Sequence, residues 1–186
     1  LKRLFDIIVA LLALCAAAIP LLLVALLIRF TSKGPAFYWS DRIGQNNELF
    51  RMPKFRTMRS GTPAVATHLL KNPESYLTPI GKFLRKSSID ELPQLFSILK
   101  GDMSFVGPRP ALFNQEDLIS LRTSKGIHRL TPGLTGWAQI NGRDDLPVPE
   151  KVAFDEYYLE KRSFKLDMLI LVRTFVKVAI REGVSH

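Results

Sequence analysis

The sequence predicts an α/β fold that is mainly helical, with one small β-hairpin and an apolar helix leading in from the N-terminus. Three observations carry this. Ile7 to Ile28 is an uncharged run made almost wholly of Leu, Ile, Val and Ala. Residues 36–58 open on an aromatic strand candidate, Ala36-Phe37-Tyr38-Trp39, turn at Asp41 to Asn47, and alternate loosely from Glu48 to Met58, the pattern of a hairpin. Further on, Leu92, Leu95, Phe96 and Leu99 recur at helical spacing, and 111–121, 149–162 and 166–180 read as further helices.

The apolar run comes first in the chain. As a straight helix it would be about 33 Å long, enough to cross a bilayer. It is too long for a signal peptide, and no small-residue cleavage pattern follows it. Pro20 lies past its middle and removes a backbone donor, so a kink is expected there. Lys2 and Arg3 precede the run and Arg29 and Lys33 follow it. Cations on both sides assign no orientation. A helix bent at Pro20 that enters and leaves by one face explains this, and so does a kinked span. Thr31 to Pro35 then breaks the helix, which divides the chain into a membrane segment, 1–30, and a catalytic domain, 31–186.

The net charge of +9 points to an anionic partner: nucleic acid, anionic lipid or a phosphorylated substrate. Cys15 is the only cysteine and excludes an internal disulfide. The three histidines, His68, His128 and His186, are too scattered for a zinc site. No nucleic-acid-binding motif is present.

In the rest of the chain, Lys54 and Arg56 place two cations on one face of a strand. Residues 60–78 read as a loop, and 80–86 as a short basic amphipathic stretch. That stretch enters the densest part of the sequence, Leu84 to Pro110. Arg85 and Lys86 precede adjacent carboxylates, Asp90 and Glu91, and the rigid Pro108-Arg109-Pro110 follows. Carboxylates, cations and a fixed backbone are what phosphoryl chemistry uses. A structural reading also fits: Ser88-x-x-Glu91 as a capping box on a helix that starts near Asp90 and holds Pro93 in its first turn. Gly101-Asp102 reads as the turn after that helix. Thr131 to Trp137 reads as a rigid glycine-rich turn, and Gln139 to Arg143 adds small residues and an anion contact. The last segment, 166–180, is apolar but carries Asp167, Arg173 and Lys177, which suits a helix in the membrane interface or on the core.

Taken in order, the motifs resemble those of the small monotopic phosphoglycosyl transferases, the bacterial sugar transferase family. They are Lys54 to Met58, Ser88 to Gln94, Lys100 to Ser104, Gly107 to Pro110, Pro132 to Gly136, Gln139 to Arg143, and Asp155 with Tyr157-Tyr158. The resemblance implies a re-entrant N-terminal helix bent at Pro20 and packed with interfacial amphipathic helices. It places the protein in the bacterial inner (cytoplasmic) membrane with the catalytic domain on the cytoplasmic face. The family commonly has serine before that proline, where this chain has Ile19.

The implied reaction moves a sugar-1-phosphate from a UDP-sugar to undecaprenyl (polyprenyl) phosphate and releases UMP. Asp90 is the implied nucleophile of a covalent aspartyl-phosphosugar, and Glu91 its partner, the two together holding Mg2+. Arg85, Arg109 and Lys54 are the expected phosphate-binding groups. Gly136, Gln139 and Arg143 are the expected nucleotide contacts, and Asp155 is either a supporting carboxylate or a helix salt bridge. Two rival readings remain: a glycosyltransferase that releases UDP, and a non-catalytic, membrane-tethered anion-binding module.

Overall fold

The computed structural model describes residues 1–63, 70, 72–142 and 146–179. The apolar run is helix α1, Lys2–Thr31, a single 30-residue helix with Pro20 inside it. Among the described residues it is the one helix long and apolar enough to cross a membrane. Its ends are sheltered and its middle is not. Ala10 and Ile28 are fully buried, whereas Cys15 to Pro20 is exposed apart from half-buried Ala17.

Strands β1, Phe37–Ile43, and β2, Leu49–Phe55, pair antiparallel from Phe37 opposite Phe55 to Ile43 opposite Leu49. The expected hairpin is present. Its turn places Asn46 and Asn47 at positive φ, which asparagine tolerates. The inward residues Phe50 and Met52 join Ala10 of α1 in one apolar cluster, with Leu95, Ile98 and Met103; Phe55 joins Ile28 of α1 and Leu84 in another.

After the loop comes α2, Gly81–Lys86, then a 3-10 helix, Ile89–Gln94, and α3, Leu95–Lys100. Sequence spacing placed the helix start near Asp90. The α-helix instead begins at Leu95, because Pro93 has no N–H to continue an α-helical ladder. Gly101 ends α3 at φ 107°, the turn expected there.

Strand β3, Ser104–Val106, pairs in parallel with β4, Gly133–Thr135. The glycine-rich stretch expected as a turn is therefore a short strand. A pair this short carries no alternating pattern to read, and its partner lies about thirty residues away, so neighbouring residues do not reveal it. Helix α4, Glu116–Ser124, starts later than the expected 111–121, since Arg42 and Leu112 form a β-bridge first. Helices α5, Trp137–Asn141, α6, Val148–Lys161, and α7, Phe164–Ala179, complete the body. Helix α7 buries Ile170 and exposes Val172, Phe175 and Val176, so it lies on the core and presents an apolar outer face as well.

Polar contacts fasten the start of α1 to this body. Ser104 Oγ and Phe105 N–H donate to buried Asp6 at 2.8 and 3.2 Å, and Lys2 Nζ reaches Asp167 at 2.7 Å. At the other end Arg56 donates to Ser32 Oγ at 2.7 Å and also to the carbonyls of Ser32 and Lys33.

Candidate active site

The chain enters the site through an abrupt turn. Ser88 has φ 56°, a left-handed conformation that costs a non-glycine residue, and the 3-10 helix starts directly after it. Ser88 occupies the cap position, yet its side chain makes no capping hydrogen bond. The capping-box reading does not hold: Glu91 turns its carboxylate towards two cations instead of back to Ser88. Charge-assisted bonds outweigh a bond to a neutral N–H.

Lys54 Nζ donates to Glu91 Oε1 at 2.8 Å, and Arg109 Nη2 donates to the same oxygen at 3.1 Å. Strand β2 delivers Lys54 and the segment after β3 delivers Arg109. The two cations expected to share a face of β2 part company, because the strand ends at Phe55: Lys54 turns to the site and Arg56 holds the end of α1.

Asp90 and Glu91 are adjacent but electrostatically unlike. Asp90 is 8% exposed, and burial pushes its carboxyl up to about 6, against the opposing pull of Lys54, Arg85 and Arg109; the Glu91 charge adds to the rise. Burial acts on Glu91 in the same sense but is outweighed by Lys54 and Arg109, which hold it well below the usual carboxylate range. Burial pulls the Lys54 ammonium down, and Glu91 counters it. The pair is thus one firmly ionised carboxylate bound to two cations, beside one that titrates near neutrality. Arg85, half-buried at the end of α2, lies in the field of both.

Arg109 is held from behind. Arg122 Nη1 donates to the Arg109 carbonyl at 2.8 Å, and Arg42 Nη1 to the Pro110 carbonyl at 3.1 Å. Arg122 is itself gripped by Asp155, at 3.0 Å from Nε and 2.6 Å from Nη2. Asp155 is therefore a salt-bridge partner that also supports the site through Arg122. Sequence reading missed Arg122 and Arg42, whose partners lie 13 to 68 residues away and leave no local spacing signal. The Gly107 N–H bonds the Thr135 carbonyl and the Gly133 N–H bonds the Pro108 carbonyl, both at 2.9 Å. A Cβ on Gly136 would lie 2.1 Å from the Gly107 carbonyl oxygen. What approaches Gly136 in this structure is backbone, and the contact seats the segment that carries Arg109.

Gln139 is 8% exposed, and both polar atoms of its amide lack a hydrogen-bond partner. It lines a cavity of about 200 Å³ that also touches Glu91 and Arg109. Arg143 lies outside the described residues. Asp102 stays out of the site, paired with Lys100 at 2.9 Å.

The donor set was tested against a divalent cation. Among the described residues no group of three or more His, Cys, Asp or Glu side chains converges. Two adjacent carboxylates do converge, and both printed bonds to Glu91 end on one oxygen, Oε1. Hard carboxylate oxygens in this number suit Mg2+, which is commonly held by one or two carboxylates with water and substrate phosphate completing its shell.

A carboxylate pair and phosphate-sized cations on a helical body, behind a membrane-length helix, are the fold and site of a membrane-associated transferase. The model of the family described as bacterial sugar transferase matches residues 1–181. The chain is 42% identical over 188 residues to the "Uncharacterized sugar transferase EpsL" of Bacillus subtilis, covering 100% of this chain and 91% of that protein. It is 39% identical to the "UDP-glucose:undecaprenyl-phosphate glucose-1-phosphate transferase" of Xanthomonas campestris, covering 95% of this chain and 38% of that protein. It is 35% identical to the "Undecaprenyl-phosphate galactose phosphotransferase" of Salmonella typhimurium, covering 98% and 41%. The chain belongs to the bacterial sugar transferase family.

Proposed function

We propose that the protein transfers a sugar-1-phosphate from a UDP-sugar to undecaprenyl phosphate and releases UMP. The observation that carries this reading is the division of labour in the carboxylate pair. Glu91 absorbs Lys54 and Arg109, while Asp90 stays unmasked and titrates close to neutrality. The names of the Xanthomonas and Salmonella relatives support the same reaction. Those names differ in the sugar, glucose against galactose, so the donor's hexose is left open.

An Asp90 oxygen attacks the β-phosphorus of the UDP-sugar. The new aspartyl O–P bond forms as the bridging O–P bond breaks, and UMP leaves with that electron pair. A phosphate oxygen of the acceptor then attacks the same phosphorus, breaks the aspartyl bond and restores the carboxylate. Two steps at one nucleophile let a water-soluble donor and a membrane-bound acceptor use one site in turn. Arg109 and Lys54, with Arg85 beside them, neutralise the phosphate oxygens. Asp90 and Glu91 would hold Mg2+, which supplies charge neutralisation to the diphosphate when bound.

We infer further that α1 dips into one leaflet and returns, with the catalytic domain on the cytoplasmic face of the inner membrane. Its two ends are fastened to one body and its tip, Cys15 to Pro20, is exposed. The test of the reaction is the leaving nucleotide. Purified protein with Mg2+, undecaprenyl phosphate and a panel of UDP-sugars should release UMP with one or a few of them. Release of UDP would mean transfer of the sugar alone and would overturn the role given to Asp90.

A further inference from the structure

We infer that the 200 Å³ cavity beside the carboxylate pair is the seat of the acceptor: an isoprenyl phosphate enters it with its phosphate towards Arg109 and Gln139 and its first isoprene units against the apolar walls. The inference rests on the proposed transfer and assigns one of its substrates to a place. Four observations carry it.

The walls are largely apolar: Leu92, Leu95, Phe105, Leu134, Leu171 and Val178. Such a lining would leave the hydroxyls of a sugar unmatched, which costs free energy, whereas a branched hydrocarbon fills it favourably. The cavity also lies where the membrane-facing parts of the molecule meet. Leu95 belongs to the cluster that includes Ala10 of α1, and Phe105 and Leu134 pack on that cluster together with Ala13 and Leu14 of α1. On the opposite side α7 lines the cavity with Leu171, Thr174, Lys177 and Val178, and its neighbouring stripe of Val172, Phe175 and Val176 is exposed. A chain anchored in lipid therefore reaches the cavity past apolar surface.

The polar groups on the wall match a phosphate. Gln139 is buried and its Nε2–H has no partner, a state that costs free energy until a ligand accepts that hydrogen bond. Lys177 and Arg109 add positive charge to the lining. Glu91, on the same wall, ties the cavity to the reacting carboxylate next to it in the chain, so a phosphate held there is within the reach of the Asp90 adduct.

The test is direct binding, independent of turnover. Detergent-solubilised protein would be titrated with geranyl phosphate, inorganic phosphate and the UDP-sugar identified above, comparing the native chain with Leu171→Trp and Val178→Trp. Val178 is 44% exposed at the end of α7, so its replacement leaves the core undisturbed. The expected result is geranyl phosphate binding about tenfold weaker in both variants, with UDP-sugar binding unchanged. Gln139→Leu should weaken geranyl phosphate but not the uncharged alcohol geraniol. Loss of UDP-sugar binding with geranyl phosphate retained would make the cavity a donor subsite; it would overturn this inference and leave the transfer reaction standing. Unchanged binding of both ligands would also overturn it, as would inorganic phosphate competing as well as geranyl phosphate, which would mean an anion site alone. A native chain that binds UDP-sugar but no isoprenyl phosphate would overturn the proposed reaction as well.

Discussion

Asp90 is the residue on which the chemistry turns, and its burial has two consequences with opposite signs. A carboxyl raised to about 6 is ionised only above that pH, so the rate of nucleotide release should climb as pH rises through about 6. A flat profile between pH 5 and 8 would remove Asp90 as the nucleophile. The same shift acts on stability. The folded protein holds the Asp90 proton more tightly than the unfolded chain, so the contribution is present at low pH and is lost as pH rises through about 6. Asp90→Asn should therefore release no UMP and yet melt higher than the native protein at pH 8, as read by a thermal unfolding scan. Glu91 carries the reverse sign: its carboxyl is held low, so its contribution is present at neutral pH and lost in acid. Glu91→Gln leaves half-buried Lys54 without its charge partner and should cost about 3 kcal/mol, measurable as a lower melting temperature. Glu91 in this state is also where the capping reading fails. The spacing Ser88-x-x-Glu91 is compatible with a cap, and only the approach of Lys54 and Arg109 from distant parts of the chain decides against it.

At the scale of elements, short segments are held by long-range polar contacts. Helix α4 and helix α6 matter to the site because Arg122 and Asp155 connect them and pass a hydrogen bond to the Arg109 backbone. Asp155→Asn should lower the melting temperature and also lower the rate, because Arg122 loses the partner that aims it. Arg122→Lys should keep the charge but lose the two-bond grip, and its rate should stay below native. An Asp155→Asn protein with native rate would confine the pair to stability. The β3–β4 pair works in the same way. Its three-residue strands are legible as a turn in the sequence, and become a sheet only because Gly107, Gly133 and Gly136 let two backbones approach within a distance that a Cβ would close.

For the whole molecule, the relation of α1 to the body sets the membrane geometry. If both ends of α1 lie on one side, single cysteines placed at Leu1 and Lys33, in a Cys15→Ala background, should react with a membrane-impermeant thiol reagent from the same face of sealed vesicles. Labelling from opposite faces would mean a spanning helix. The apolar run, the hairpin, the order of the motifs and the identity of the carboxylate pair were legible in the sequence, because each depends on residues adjacent in the chain or repeating at a short period. The structure alone decided which cation reaches the site and which holds the membrane helix, which of the two carboxylates stays ionised, and where the apolar cavity opens. Those properties depend on burial and on partners 13 to 104 residues apart, and such partners meet only when the chain packs.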